Sequence, residues 1–290
     1  MSMKGVTQAV PHSTGIEPPK LVAPAKAADC HIHIYDARYP SSSPVMAGGT
    51  VADYRLLQKR VGVERVVIVT PRQYVTDNTV TTDAIKELGI DNARGVGVLR
   101  PTVTDAELKT LNEAGIRGIR FTVGDPKTAA VSIDMIEPLA KRIADYGWHV
   151  QLNMPNDKIV EHADLLRRLP TQIVFDHMGK PPVDQGVKHP SHAIILDLLA
   201  KHRAWVKISG AYMNTNVGPP TYDDATRVAQ AFVKAAPERC VWGSDWPHPG
   251  PKVKPDDSIL FDLLNVWAPD EAIRNRILVN NPQELYGFPK

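Results

Sequence analysis

Two histidines one residue apart, His31 and His33, sit in an apolar run from Ala27 to Tyr35. On a strand, side chains at i and i+2 share a face. The two imidazoles then project together while Ile32 packs behind them. Such a pair can ligate a metal, or can exchange hydrogen bonds and protons around one carbonyl oxygen. Other chemistry-bearing residues fall at or just after the ends of later apolar runs: Arg120, Gln151 with Asn153, His177, Lys207 with Ser209, and Asp245, which Trp246, Pro247 and His248 follow.

These residues need elements to position them. The runs Glu64–Thr70, Arg94–Leu99, Arg117–Phe121, Trp148–Met154, Gln172–His177, Ala204–Ser209 and Arg239–Asp245 are apolar and rich in β-branched residues, as strands buried on both faces are. Helical patterns separate them, at Val51–Val61, Asn78–Leu88, Thr104–Ala114, Ile133–Tyr146, Lys158–Leu169, Ser191–Lys201 and Asp223–Ala235. Ser258–Trp267 and Asp270–Ile277 close the chain. Eight strands alternating with helices predict an α/β fold, a (β/α)8 TIM barrel. A doubly wound sheet is the competitor, but the first βα turn lacks its glycine pattern. Catalytic groups of a barrel come from the C-terminal strand ends, where the residues above fall. Asp29 and Asp176 are expected to face away from the lumen or to bond backbone. Arg38, Lys180 and His248 lie in loops.

The remainder of the composition is restrictive. The chain has 290 residues, 43% hydrophobic and 23% charged, with a net charge of +2, so its charge balance gives no reason to expect a nucleic-acid or membrane partner. No apolar run approaches membrane-spanning length. Cys30 and Cys240 sit in apolar runs and read as small buried hydrophobes, which fits a reducing, cytoplasmic setting. Residues 1–26, with four prolines from Pro11 to Pro24, read as an extended arm, and 27–290 as one catalytic barrel. The oligomeric state stays open.

The His31/His33 pair, a histidine ending a middle strand and Ser244-Asp245 ending strand eight resemble the amidohydrolase superfamily. The segments Phe175-Asp176-His177-Met178-Gly179-Lys180-Pro181, Trp242-Gly243-Ser244-Asp245-Trp246-Pro247-His248 and Asn280-Asn281-Pro282-Gln283-Glu284-Leu285-Tyr286 look like its branch of 2-pyrone-4,6-dicarboxylate lactonases and relatives. The resemblance runs from Ala27 onward and is strongest to the galactarolactone isomerases. It implies a small carboxylated lactone as partner and conversion of D-galactaro-1,5-lactone to the 1,4-lactone in galacturonate catabolism. Metal-dependent members of the superfamily supply a second middle-strand histidine, where Gln151, Asn153 and Ser209 stand here. Three histidines and one aspartate could still hold a single zinc ion, but the resemblance to the lactonase branch implies no cofactor. Zinc held by His31, His33, His177 and Asp245 is the alternative.

A lactone is an activated ester. The three histidines are expected to stabilise its oxyanion, and Asp245 to act as general base. In a lactonase the base deprotonates water. In an isomerase it deprotonates a substrate hydroxyl, which attacks the same carbonyl. Arg120 is expected to grip a carboxylate, with Gln151, Asn153, Ser209, Tyr212 and His248 completing the substrate site. Residues 209–221 hold no arginine, while Tyr212, Asn214 and Asn216 suit hydroxyls. That favours a polyhydroxy lactone with one carboxylate over a pyrone dicarboxylate. A metal-independent lactonase is the alternative, then a mononuclear zinc hydrolase or decarboxylase, then a non-catalytic sugar-acid binding protein.

Overall fold

The computed structural model describes residues 4–123, 129–213 and 215–290; Asn214 lies outside them. Eight strands form in chain order: β1 Ala28–Ile32, β2 Arg65–Val69, β3 Ala93–Gly97, β4 Ile116–Thr122, β5 His149–Asn153, β6 Ile173–Phe175, β7 Ala204–Ile208 and β8 Cys240–Trp242. Each pairs in parallel with the next. A bridge between Ile32 and Trp246 nearly closes the ring. The architecture is therefore the expected (β/α)8 barrel. Among the described residues, no helix is long and apolar enough to cross a membrane.

The seam between the first and last strands matters most for the site. Asp245 N–H donates to His31 O at 2.8 Å, and His33 N–H to Trp246 O at 2.8 Å. Gly243 permits this approach, because a Cβ there would meet His31 Cβ at 2.7 Å. The main chain thus brings the β1 histidines beside Asp245 before any side-chain contact is made. Strand pairing slips between Asp29 and Ile32. Ala28 and Cys30 pack into the small apolar cluster with Val67, Val174 and Val241. His31 and His33 nevertheless turn inward as well, so side-chain alternation changes phase at this irregularity.

Outside the barrel, threonine caps start helices where the sequence places them. Thr50 and Thr104 each form a reciprocal capping box, with Asp53 and Glu107. Two expected helices divide. His162 separates Asn156–Glu161 from Ala163–Arg168, and Leu263 separates Asp257–Asp262 from Leu264–Trp267. The N-terminal arm is firmly held. The buried Arg60 guanidinium donates to Gly15 O at 2.8 Å and to Ser13 Oγ. Trp246 Nε1 donates to Pro11 O at 2.8 Å, so the arm also braces the residue after Asp245. Cys30 and Cys240 are both buried and unpaired.

Candidate functional site

Asp245 stands three residues beyond β8 in the left-handed region, φ 66°, a conformation costly for a non-glycine residue. Its carboxylate lies under three imidazoles. Oδ1 is 3.4 Å from His31 Nε2, 3.7 Å from His33 Nε2 and 3.6 Å from His177 Nε2. Oδ2 accepts a hydrogen bond from the Tyr212 hydroxyl at 2.5 Å. Burial raises the Asp245 pKa above the usual carboxylate range, and the Tyr212 hydrogen bond pulls it partly back. A buried carboxylate poised this way suits a general base.

The histidines differ in their outer partners. His33 Nδ1 lies 2.7 Å from Val69 O. A carbonyl only accepts, so His33 carries its proton there and turns a lone pair at Nε2 toward Asp245. His177 Nδ1 meets Ser209 Oγ at 3.0 Å. His31 Nδ1 faces the Lys207 ammonium at 3.4 Å. Burial holds all three neutral: it drives His33 down to about 3, helped by Arg120, and puts His31 and His177 well below the usual histidine range. His177 begins four successive left-handed residues, through Lys180, at the end of β6.

Asp176, expected to face away, is instead the centre of a buried ionic cluster. Its Oδ2 accepts from Arg120 Nε at 2.8 Å and from Gln151 Nε2 at 3.2 Å. Lys207, fully buried, donates to Gln151 Oε1 at 2.9 Å and lies 3.6 Å from Asp176 Oδ1. Burial alone would raise Asp176, but Arg120 first, with Lys207 behind it, holds it well below the usual range. Burial brings Lys207 down to about 8 against the attraction of Asp176. The left-handed φ of 50° at His177 explains the misjudged direction. Regular alternation lets only one of two neighbours face inward, and this turn admits both. Lys207 has a readable signal, since it shares its side of β7 with Ser209.

A cavity of about 570 Å³ adjoins the cluster, lined by Arg72, Arg120, Thr122, Asn153 and Lys180 among others. Arg120 belongs to both. Lys180 is close enough to Arg120, Asp176 and Asp245 for all three to act on its charge. Of the expected substrate-binding residues, Arg120 and Asn153 line this cavity. Four are placed differently. Gln151 bridges Lys207 and Asp176, Ser209 supports His177, and Tyr212 donates to Asp245. His248 is buried against Asp257, with Nε2 at 3.1 Å from both carboxylate oxygens. Arg72, which follows β2, and Lys180, which follows β6, also line the cavity.

His31, His33 and Asp245 bring ligand atoms within 4.8 Å of one another. Their 3.3 and 3.4 Å separations match the edge of a tetrahedral zinc site, about 3.3 Å for bonds of about 2.0–2.1 Å. His33 fits such a site, its lone pair inward and its outer N–H on a carbonyl. His31 does not, because the Lys207 ammonium stands 3.4 Å from its outer nitrogen, as near as the Asp176 carboxylate. The full set of four does not fit a metal as it stands.

The family model described as Amidohydrolase matches residues 28–288. The 4-sulfomuconolactone hydrolase of Rhizobium radiobacter is 33% identical over 284 residues, 93% of each chain. The 2-pyrone-4,6-dicarboxylate hydrolase of Comamonas testosteroni is 33% identical over 92% of each chain. The D-galactarolactone isomerase of Agrobacterium fabrum is 30% identical over 92% of this chain and 93% of its own.

Proposed function

The chain belongs to the amidohydrolase family, and from that premise we propose that it hydrolyses a lactone carrying two anionic groups, with Asp245 as general base and without a metal cofactor. The observation that carries this reading is the grouping of Arg72, Arg120 and Lys180 around one cavity beside the Asp245 cluster. From sequence, the lack of arginine in residues 209–221 favoured one carboxylate, with Arg38, Arg72 and Arg100 as further cations within reach. Three cations suit two anionic groups better. Two relatives at 33% identity bear names of this kind, a sulfomuconolactone and a pyrone dicarboxylate.

The cations seat the anionic groups and set the lactone carbonyl against the cluster. The Asp245 carboxylate takes a proton from water as the water oxygen attacks the carbonyl carbon. A donor from the histidines meets the oxygen on which charge develops. The intermediate then collapses, the ring C–O bond breaks, and the proton on Asp245 passes to the departing ring oxygen. An open-chain acid results and Asp245 is again ionised. The histidines are neutral, and Asp245 meets all three Nε2 atoms at 3.4–3.7 Å while Asp176 is tied to Arg120, which is why the base is assigned to Asp245.

Isomerisation of a galactarolactone is the second reading, favoured by Thr122 and Asn153 in the cavity lining, which suit hydroxyls. It uses the same base with a substrate hydroxyl in place of water. Proton NMR of 2-pyrone-4,6-dicarboxylate, 4-sulfomuconolactone and D-galactaro-1,5-lactone with purified protein separates the two. Open acid formed from either dianionic lactone supports the hydrolase. A 1,4-lactone formed before any open acid replaces it with the isomerase.

A further inference from the structure

Lys207 touches neither solvent nor the cavity. Its Nζ faces Gln151 Oε1 at 2.9 Å, His31 Nδ1 at 3.4 Å and Asp176 Oδ1 at 3.6 Å. An ammonium has three protons and no lone pair, so each neighbour must present an acceptor. Gln151 does so, turning its oxygen to Lys207 and its NH2 group to Asp176. The competing arrangement at His31 has Nδ1–H donating to Asp176 Oδ1, which is also 3.4 Å away. Two observations oppose it. Asp176 Oδ1 has no hydrogen-bond partner, so the ring is not aimed at it. A proton on Nδ1 would also point at a cation.

We propose that Lys207 is a positioning residue: by donating to His31 Nδ1 it fixes His31 as the Nε2–H tautomer, making the ring a hydrogen-bond donor to the reacting carbonyl oxygen and a poor ligand for a divalent cation. The two β1 histidines then play opposite parts. His33, with its proton held at Val69 O, presents a lone pair, and His31 presents an N–H, their Nε2 atoms 3.3 Å apart. A metal site needs lone pairs from both. Charge acts in the same direction. Arg120 and Lys207 already stand against Asp176, so a divalent cation at the histidines would meet positive charge in place. Without Lys207 the cluster loses one buried positive charge, His31 Nδ1 is released to carry its proton toward Asp176, and Nε2 is freed as a ligand.

This assignment rests on the proposed function only in naming the carbonyl oxygen; both of its readouts need no substrate. The first is long-range ¹H–¹⁵N correlation on protein labelled with ¹⁵N-histidine, His31 being assigned by loss of its signals in H31Q. A protonated Nε2 with an unprotonated Nδ1 is expected, and the reverse tautomer overturns the proposal. The second is competitive Zn²⁺ titration of wild type and K207M, with circular dichroism to confirm that the variant is folded. K207M is expected to bind Zn²⁺ at least about a hundredfold more tightly, given the strength of a buried cation's repulsion. Equal affinity in a folded K207M overturns the proposal. If K207M does not fold, the wild-type tautomer alone decides. Absence of lactone turnover would sink the proposed function and leave both results standing.

Discussion

Tyr212→Phe isolates one hydrogen bond to the proposed base. The hydroxyl donates to Asp245 Oδ2 at 2.5 Å, and the ring packs edge-on against His248 with centroids 5.0 Å apart. Phenylalanine keeps the ring and removes only the donor. A hydrogen bond to a charged group contributes about 1.5–3 kcal/mol. This one favours the ionised carboxylate, so its loss makes Asp245 harder to ionise. At about 1.4 kcal/mol per pH unit, the acid limb of kcat/KM moves upward by about one to two units. Above the limb the rate is retained, because the more basic carboxylate is the better proton acceptor. The assay is a pH profile of lactone opening for both proteins. A limb that stays in place while KM rises would refute the reasoning and return Tyr212 to the substrate-binding role that its sequence position suggested.

Other outcomes follow from the same geometry. Asp245→Asn is expected to lower kcat by about 10²–10⁴-fold at unchanged melting temperature, measured by stopped assay and calorimetry; full activity would end the general-base assignment. Lys180→Met is expected to lower kcat/KM about tenfold to a hundredfold for a lactone with two anionic groups, and less for one with a single group; equal losses would argue against the clamp. Stability is expected to fall between pH 7 and pH 5. His31, His33, His149 and His177 are buried and held neutral, all with lowered pKa values, so each gives stability that is present above the unfolded pKa and lost as pH falls below it. From 6.5 to pH 5 that is about 2 kcal/mol each. Asp29 works in the opposite sense, since burial raises it to about 7, and it returns about 2–3 kcal/mol over the same interval. The net loss of about 5 kcal/mol is an upper figure; urea unfolding at the two pH values checks it, and equal midpoints would refute it.

The barrel is legible in the sequence because its strands are buried along almost their whole length and therefore read as apolar runs. The capping boxes at Thr50 and Thr104 are legible for a local reason, since their partners stand three residues on. Asp245 and the three histidines are legible because they end such runs. Their surroundings are less so. Lys180 reaches the cavity from the turn after β6, whose path a strand-end argument does not follow. The division at His162 lacks the proline or glycine that would announce it.

The direction of a side chain at a strand end is the hardest feature to read, and here it decides the chemistry. Alternation with period two correctly places Lys207 with Ser209, and Gln151 with Asn153. It fails at two points. On β1 the slipped pairing lets Cys30 and His31, adjacent in sequence, both face inward. On β6 the left-handed turn at His177 does the same for Asp176 and His177. Each failure adds an ionisable group to a space that regular strands would have filled with one. Together they bring Asp176 within 3.4 Å of His31, and Lys207 follows as the cation that a buried carboxylate requires. The irregular backbone is thus the source of the charge cluster, and through Lys207 it sets which nitrogen of His31 carries the proton that faces the reacting centre.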